Sequence, residues 1–273
     1  MKTITLFQTN ENVELRKFAG GECHIRFAEN LKGTEEVRLN IRLNTSDDLM
    51  TLCLAVDALR RMEVKHIEVF IPYVPYARQD RVMVPGEPLS IRVFAQLLNS
   101  LNLDKVIVFD PHSDVSPALI DRCEIVSNYT MIGSIIKELN LTDYVLVSPD
   151  LGAYKKVDKL GQNLGYRGEI ATGLKIRDLA TGQIIRSDVN VEELNGKTCL
   201  VVDDICDGGR TFIELAETLK RKGAGRLLLM ISHGIFSHNA LDRLKEAGYA
   251  LVCSSNSIAD LPQNEFYKAF NLF

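Results

Sequence analysis

The sequence predicts an α/β protein with two similar halves, each a mostly parallel sheet flanked by helices. Short apolar segments rich in β-branched residues alternate with helical patterns, as expected for buried parallel strands joined by crossover helices. Both halves contain a strand followed by a Pro/Asp element, VIVFDPHSD in the first and VLVSPDLG in the second. At 273 residues the chain is long enough for one large domain or two smaller ones.

These patterns predict the following elements in chain order. The strands are Ile4–Gln8, Glu36–Leu43, Ile67–Pro72, Lys105–Asp110, Tyr144–Ser148, Thr198–Val202, Leu227–Ser232 and Leu251–Ser254. The helices are Asp47–Met62, Leu89–Leu101, Thr130–Leu139, Ala153–Leu164, Thr211–Lys222 and Ala240–Ala247. Asp47 and Thr211 are the candidate N-caps, and Gly223 and Gly248 are expected just after helix ends.

The two halves meet near residue 141, which predicts domains at 1–140 and 141–273. In doubly wound sheets, ligands bind at the carboxyl ends of the strands. In both halves the unusual polar motifs follow predicted strands, so we expect the functional site at these sheet edges.

Composition restricts the possible partners. The net charge of −4 gives no reason to expect nucleic acid or an anionic membrane as a partner. The six cysteines are scattered without a CxxC pair, which favours reduced thiols in the cytoplasm over a zinc site. The first residues lack the apolar segment of a signal peptide, and no apolar run approaches the length of a membrane span.

The segment VVDDICDGGRT carries the strongest chemical signal. The strand Thr198–Val202 runs directly into the adjacent carboxylates Asp203 and Asp204, and Asp207 precedes the glycine loop GGRT and a helix. Glycines allow close backbone approach, and a helix N-terminus favours anions. The carboxylates can accept hydrogen bonds from sugar hydroxyls or face a magnesium ion. The pattern therefore predicts a sugar-phosphate site, with an ordinary acidic turn between strand and helix as the alternative.

Two further loops in the first half follow predicted strands. In PYVPYARQDR, Arg78 can bind phosphate oxygens or stack on a flat base, and the alternative is a solvated charged loop. In DPHSD, His112 and Asp114 can contact a metal or phosphate, although a lone loop histidine is more often a surface residue.

Two positions in the second half also have competing interpretations. Asp150 is a carboxylate at a strand end, and it could equally be the N-cap of the helix that begins near Ala153. Lys175 and Arg177 alternate in a strand-like segment, so they point to the same side. Two such cations suit the neutralisation of phosphate charge during transfer, and the alternative is a charged, exposed hairpin edge.

Taken together, the ordered motifs resemble those of the ribose-phosphate diphosphokinase family, also called PRPP synthetases. The resemblance extends over residues 5–258. Its motifs are FAGGE, NTSDDLM, IPYVPYARQDR, GEPLSIRVFAQLL, VFDPHSD, VSPDLG, GLKIR, VVDDICDGGRT and SNSI. It implies two phosphoribosyltransferase-like domains and transfer of a diphosphoryl group from ATP to the 1-hydroxyl of ribose 5-phosphate, with AMP released.

The resemblance also implies a role for each matched residue. The ribose 5-phosphate would be held by Asp203, Asp204, Asp207, Gly208, Gly209 and Thr211. ATP would be bound by Arg78, Gln79 and His112, and by Phe18 and Glu22 from a neighbouring subunit. His112 and Asp150 would contact Mg²⁺ and its phosphates, and Lys175 and Arg177 would stabilise the transition state. The family forms dimers and often hexamers, so a homo-oligomer of at least two subunits is implied.

Two positions depart from the family pattern. At Gly20 the family usually has Asp or Asn, which reads the adenine, so the nucleotide donor is less defined here. Arg210 lies in DGGRT, which replaces the commoner D-T-x-G-T, and adds a cation beside the 5-phosphate. Two alternative functions remain: a phosphoribosyltransferase that consumes PRPP, and a non-catalytic homologue that regulates a true synthetase.

Overall fold

The computed structural model describes the backbone of residues 1–177 and 184–273, and the side chains of residues 1–174 and 188–273. Its strands are β1 (Lys2–Thr5), β2 (Val13–Lys17), β3 (Cys23–Phe27), β4 (Glu36–Asn40), β5 (His66–Ile71), β6 (Lys105–Phe109), β7 (Cys123–Val126), β8 (Tyr144–Ser148), β9 (Ala171–Arg177), β10 (Ile184–Val189), β11 (Thr198–Cys206), β12 (Leu227–Gly234), β13 (Tyr249–Ser255) and β14 (Tyr267–Phe270). Its helices are α1 (Ser46–Arg61), α2 (Ser90–Ser100), α3 (Val115–Leu119), α4 (Tyr129–Glu138), α5 (Leu151–Leu164), α6 (Arg210–Arg221) and α7 (Ala240–Glu246).

The chain forms two compact units. The first contains Met1–Ser127 together with Phe273, and the second contains Asn128–Leu272. The first unit has a five-stranded sheet in the order β1-β4-β5-β6-β7, and every neighbouring pair in it is parallel. A separate antiparallel hairpin, β2–β3, belongs to the same unit.

The second unit has a seven-stranded sheet in the order β10-β9-β8-β11-β12-β13-β14. Only β10 runs antiparallel to its neighbour among the pairings described. Every residue of β12 is buried, as expected for a central strand that helices cover on both faces. The predicted α/β fold with two mostly parallel sheets flanked by helices is confirmed.

Each predicted strand and helix overlaps an observed element, but β2, β3, β7, β10, β14 and the short helix α3 were not predicted, and β9 was expected only as a strand-like segment. The hairpin strands VELRK and CHIRF alternate apolar and polar side chains, so they lack the continuous apolar runs on which the prediction depended. Strands β7 and β14 are short edge strands of four residues each. Edge strands need less apolar surface because one side is unpaired.

The predicted N-cap residues of two helices are wrong. Thr45, not Asp47, caps α1, and it forms a capping box in which Asp48 bonds back to the Thr45 backbone N–H. Gly209, not Thr211, is the N-cap of α6, which places Thr211 inside the first turn. Both predicted residues are near helix starts, but the N-cap residue must precede the first helical residue, and both Asp47 and Thr211 lie inside their helices.

The expected helix C-termini agree with the structure. Gly223 and Gly248 directly follow the C-caps of α6 and α7, and both have positive φ, +77° and +93°. Left-handed backbone at this position favours glycine. Among the described residues, no helix has both the length and the apolar character needed to cross a bilayer.

Candidate functional site

Three neighbouring strands of the second unit, β8, β11 and β12, end at the same edge of the sheet. They pair in parallel in the order β8-β11-β12. The residues that follow β8 include Asp150, those at the end of β11 include Asp203 to Asp207, and the loop after β12 spans residues 235–239. Parallel strands bring their carboxyl-end loops together, so these three segments form one candidate site.

The strand β11 is longer than predicted and carries the acidic pair within it. It was expected to end at Val202, but its ladder with β12 continues through Asp203 opposite Ile231 to Cys206 opposite Gly234. The polar residues do not end the strand because β12 is itself polar at this end, with buried His233 beside Ile205.

The two adjacent carboxylates lie close together in a partly dry environment. Asp204 is buried, and its backbone N–H donates to Asp203 Oδ1 at 2.9 Å. Burial raises the pKa of Asp203 well above its ordinary value, and the Asp204 carboxylate raises it further. Lys156 on α5 partly balances this charge, with its Nζ 3.6 Å from Asp204 Oδ2. Such a pair is stabilised by ligands that bring hydroxyl donors or positive charge.

The glycine turn follows β11 directly and leads into α6. Gly209 has a φ of +76°, and a helix begins at the next residue. The phosphate-loop prediction therefore has the required local geometry: glycine backbone immediately before a helix N-terminus. The Cys206 thiol just before it is no candidate nucleophile, since burial raises its pKa to about 12.

Arg210 and Thr211 occupy the first turn of α6. The Arg210 side chain is 83% exposed, and its Nε is 2.7 Å from Glu214 Oε1 one turn later. This ion pair holds Arg210 along the helix surface, so its cation is present near the turn but shared with a carboxylate. Gly208 lies beside the loop after β12, because a Cβ built on it would be 3.8 Å from Ser237 Oγ.

Asp150 is the N-cap of α5, which is one of the two interpretations that the sequence allowed for this residue. Its Oδ1 accepts a hydrogen bond from the Ala153 backbone N–H at 3.0 Å. The negative charge of Asp150 also helps to raise the pKa of Asp203, so Asp150 acts electrostatically on the acidic pair. The carboxylate therefore has a structural role, and a second role toward a ligand is compatible with it.

Lys175 and Arg177 lie at the end of β9, which pairs with β10 in an antiparallel hairpin. Their side chains lie outside the described part of the structure. Gly173, in the same strand, is required by its surroundings, because a Cβ there would be 2.2 Å from the Pro149 carbonyl oxygen. The strand thus passes directly against the turn that precedes Asp150.

In the first unit, three of the predicted nucleotide-binding residues border one cavity of about 530 Å³. Arg78 and Gln79 come from the loop after β5, and His112 comes from the end of the neighbouring strand β6. Asp80 lies in the same wall: burial alone would raise its pKa, but the Ser113 hydroxyl and the Arg81 guanidinium lower it. The cavity is therefore lined by exposed donors and by the carboxyl groups of Asp80 and Glu87.

Phe18 and Glu22 lie elsewhere in the first unit, at the tip of the β2–β3 hairpin. The Phe18 backbone N–H donates to the Glu22 carbonyl at 2.9 Å, which closes the turn. Phe18 is 56% exposed and its ring packs only loosely on His24, with 5.5 Å between centroids. An exposed aromatic ring at a hairpin tip is available to a partner surface.

The candidate metal-binding side chains suit a magnesium ion that binds together with a substrate, rather than one held by the protein alone. Among the side chains that the structure describes, those of residues 1–174 and 188–273, no group of three or more His, Cys, Asp and Glu is arranged to hold a metal. Mg²⁺ commonly binds one or two carboxylates plus substrate phosphates and waters. The raised pKa of Asp203 fits this role, because a nearby cation would relieve the repulsion between the carboxylates. Of the predicted metal contacts, His112 belongs to the first unit and Asp150 to the second.

Three polar residues of the second-unit site were not identified from the sequence: Lys156, Ser237 and Arg243. Ser237 Oγ donates to Asp207 Oδ1 at 2.6 Å, and Arg243 Nη1 donates to the Gly208 carbonyl at 2.9 Å. Ser237 belongs to the loop after β12, so its position after a predicted strand was a usable signal. Lys156 and Arg243 occupy helix surfaces, where nothing in the sequence distinguishes them from solvated residues.

Comparisons with known proteins show the family of the chain. The family described as "N-terminal domain of ribose phosphate pyrophosphokinase" matches residues 5–101, and "Phosphoribosyl synthetase-associated domain" matches residues 186–266. The chain is 32% identical to the ribose-phosphate pyrophosphokinase of Mycobacterium leprae, over 90% of this chain and 76% of that protein. It is 30% identical to the Thermosipho africanus enzyme of the same name, over 90% of this chain and 78% of that protein.

A solved structure has the same fold. The crystal structure of phosphoribosylpyrophosphate synthetase from Mycobacterium smegmatis superposes with a TM-score of 0.81 at 29% identity, covering 95% of this chain and 86% of that one. The similarity therefore includes both units. The chain belongs to the ribose-phosphate pyrophosphokinase (PRPP synthetase) family.

Proposed function

We propose that this protein is an active ribose-phosphate diphosphokinase. It transfers the diphosphoryl group of ATP to the 1-hydroxyl of ribose 5-phosphate, giving 5-phosphoribosyl 1-diphosphate and AMP. One observation carries the proposal: a partly buried acidic pair and a left-handed glycine turn lie together at the end of β11, directly before a helix. The family relationship supplies the reaction for which such a site is suited.

The second unit is the sugar side of the proposed site. The glycine turn and the first turn of α6 offer backbone N–H groups to the 5-phosphate, with Arg210 as an additional cation. Asp203 and Asp204 accept hydrogen bonds from the ribose hydroxyls. That interaction is favourable because the raised pKa of Asp203 reflects missing hydration and nearby negative charge, and hydroxyl donors replace the lost water.

The first unit is the nucleotide side. Arg78 and Gln79 border its cavity with His112, and a guanidinium can bind phosphate oxygens or stack on the base. In this proposal residues 1–140 form the ATP-side domain and residues 141–273 the ribose 5-phosphate-side domain, both phosphoribosyltransferase-like. Phe18 and Glu22 would complete the nucleotide site of a neighbouring subunit, for which the exposure of Phe18 leaves room.

The reaction requires alignment and charge stabilisation more than covalent help. The oxygen of the 1-hydroxyl attacks the β-phosphorus of ATP, the bond to the α–β bridging oxygen breaks, and AMP leaves. Lys175 and Arg177 are proposed to stabilise the negative charge that shifts onto the phosphate oxygens. Mg²⁺, proposed as the cofactor with contacts from His112 and Asp150, would neutralise phosphate charge when bound.

The proposal extends to assembly and location. The use of Phe18 and Glu22 by a neighbour requires a homo-oligomer of at least two subunits. The six cysteines are all free thiols, which supports a reducing, cytoplasmic environment. Nucleic acid and membranes are not among the proposed partners.

The direct test is product analysis by mass spectrometry and ³¹P NMR with ATP, Mg²⁺ and ribose 5-phosphate, in the absence of a nucleobase. We expect equimolar AMP and 5-phosphoribosyl 1-diphosphate. A phosphoribosyltransferase would release no AMP and would instead consume 5-phosphoribosyl 1-diphosphate when a base is added. A regulatory homologue would show no turnover alone but would change the rate of an added active synthetase.

The catalytic role of Lys175 has its own test. Lys175→Ala should lower kcat by about 10²-fold or more, since it removes a charge needed mainly in the transition state. Binding of ribose 5-phosphate, measured by calorimetry, should change little. The exposed Lys32→Ala serves as a control for loss of one positive charge. Near-normal turnover of Lys175→Ala would remove this residue from the proposed mechanism.

A further inference from the structure

The glycine turn of the candidate phosphate loop, residues 207–209, is held from outside by two side chains. Ser237 Oγ donates to Asp207 Oδ1 at 2.6 Å, and Arg243 Nη1 on α7 donates to the Gly208 carbonyl at 2.9 Å. Two backbone bonds join the same segments, because the N–H groups of Ile235 and Phe236 both donate to the Cys206 carbonyl. The loop after β12 and the first turns of α7 therefore support the phosphate loop along its whole length.

The Arg243 contact determines where a backbone donor points. The structure contains no cis peptide bonds among its described residues, and in a trans peptide the C=O and N–H point in opposite directions. Because the Gly208 carbonyl points to Arg243, the N–H of Gly209 points away from α7. Two successive glycines have the freest backbone in a chain, so an external contact has a large effect on their orientation.

The supporting loop is itself in an unusual conformation. Phe236, His238 and Asn239 all have positive φ, at 49°, 53° and 54°. Non-glycine residues adopt this region at a cost and keep it only where the surroundings enforce it. Three such residues within four positions indicate that the loop shape is required. The loop contacts Cys206, Asp207 and Gly208, and the Phe236 ring packs edge-on against Tyr267 with 5.7 Å between centroids, so this shape supports the phosphate loop.

We propose that Ser237 and Arg243 are positioning residues that keep the phosphate loop in its anion-binding shape before ligand arrives. The inference rests on the proposed function, since it takes ribose 5-phosphate as the anion. Arg243 fixes the Gly208–Gly209 peptide plane and, through its positive charge, polarises that peptide so that the Gly209 N–H becomes a stronger donor. Ser237 fixes the orientation of the Asp207 carboxylate.

The first experiment separates positioning by Arg243 from simple charge attraction. Arg243→Met should raise the dissociation constant for ribose 5-phosphate by about tenfold, as expected for loss of a charge-assisted hydrogen bond. The KM for ATP and the melting temperature should stay unchanged, and the Gly209 amide signal should shift in ¹⁵N NMR spectra of the unliganded protein. The control is Lys245→Met, which removes a positive charge from the same helix. The Lys245 ammonium lies over the Phe266 ring instead of bonding to the phosphate loop.

The salt dependence of the affinity loss in Arg243→Met distinguishes positioning from long-range charge attraction. A positioning effect should persist at 0.5 M KCl (about 4 Å Debye length), where long-range attraction is screened. If the loss disappears at high salt, or if Lys245→Met causes the same loss, Arg243 acts only as a distant charge and the inference is wrong.

The second experiment uses the hydroxyl of Ser237. Ser237→Ala should weaken ribose 5-phosphate binding about fivefold, and Ser237→Thr, which keeps the hydroxyl, should restore it. Ser134→Ala is the matched control, because it removes a serine bond to a backbone carbonyl on α4. Wild-type affinity in both Ser237→Ala and Arg243→Met would overturn the inference. If the wild-type protein itself binds no ribose 5-phosphate, the proposed function fails instead.

Discussion

Lys156 Nζ lies 3.6 Å from Asp204 Oδ2, so α5 brings a cation to the acidic pair at the end of β11. The pair needs such a cation, because burial and mutual repulsion already favour protonation of Asp203. Asp204 is buried, whereas the Lys156 side chain is 40% exposed. The contact therefore stabilises the ionised form of the pair without sealing the site from solvent.

Replacing Lys156 should move the acidic limb of the pH–activity profile. Lys156→Met removes a charge that favours the ionised pair, so protonation should persist to higher pH. If the ribose hydroxyls are bound by carboxylates, kcat/KM for ribose 5-phosphate should fall at the acidic end while the value at pH 8 to 9 changes less. The control is Lys159→Met on the exposed face of the same helix. An acidic limb that stays in place would mean that Lys156 does not tune the pair.

Asp203→Asn should make the protein more stable and less active. An Asp whose pKa is raised on folding lowers stability once the pH exceeds its unfolded value of about 3.9, because the unfolded chain then releases the proton more readily. The amide removes this cost, so the free energy of unfolding should rise by about 0.5–2 kcal/mol at pH 7. The gain should shrink toward pH 4, where the unfolded chain keeps the proton too.

Denaturant unfolding at pH 7.5 and pH 4.5 measures this difference. Turnover should fall because Asn cannot provide the carboxylate that the sugar hydroxyls require. Asp121→Asn, at an exposed position of the first unit, should leave both stability and turnover unchanged. Equal stability of Asp203→Asn and wild type at pH 7.5 would argue that the Asp203 carboxylate is well solvated.

The two glycines of the phosphate loop should respond differently to alanine. Gly209 has a φ of +76°, so Gly209→Ala should cost about 1–2 kcal/mol of stability from left-handed backbone strain. Steric room is not the reason, since a Cβ there would have ordinary contacts at 3.6 Å. Gly208 does not have positive φ, and its Cβ would meet neighbours only at 3.8 Å, so Gly208→Ala should be nearly neutral.

Thermal unfolding of the two variants side by side checks this contrast. Affinity for ribose 5-phosphate should also fall in Gly209→Ala, because relief of the strain would turn the peptide out of its binding orientation. Similar stability losses in both variants would show that packing, rather than backbone conformation, selects glycine in this loop.

Much of the fold could be predicted because buried parallel strands have a distinct composition. The uniformly apolar run around Leu227 and the alternation of strands with helices were sufficient for the two sheets. The end of β11 could not be predicted from Asp203, since a carboxylate usually ends an apolar strand. Whether the ladder continues depends on the partner strand, and here β12 extends alongside it from Ile231, opposite Asp203, through buried His233 to Gly234.

The site was predictable where a short motif contains its own chemistry, as in VVDDICDGGRT. Contacts from distant segments were not, because Ser237 and Arg243 reach residues 207–208 only through the pairing of β11 with β12. Asp150 illustrates a different difficulty. Its N-cap bond to Ala153 and its charge near Asp203 coexist, so the two interpretations of the sequence were never exclusive.

The tip of the β2–β3 hairpin offers a test of nucleotide choice. A Cβ built on Gly20 would lie 2.6 Å from Glu22 Oε2, so the Glu22 carboxylate occupies the space that a side chain at position 20 would need. The carboxylate is the end of a flexible chain, and Gly20 does not have positive φ. A side chain there should therefore move Glu22 at little cost in stability, within about 0.5 kcal/mol.

Gly20→Asn should increase the preference for ATP over GTP. The resemblance implies that Asn or Asp at this position reads the adenine, and a hydrogen bond to the base edge discriminates because the wrong base leaves it unpaired. We expect the ratio of kcat/KM for ATP to that for GTP to rise about tenfold, measured as AMP or GMP release. Gly20→Ala separates the causes, since it displaces Glu22 without an amide. If alanine changes the ratio as much as asparagine does, the position of Glu22, and not a side chain at position 20, sets the nucleotide preference.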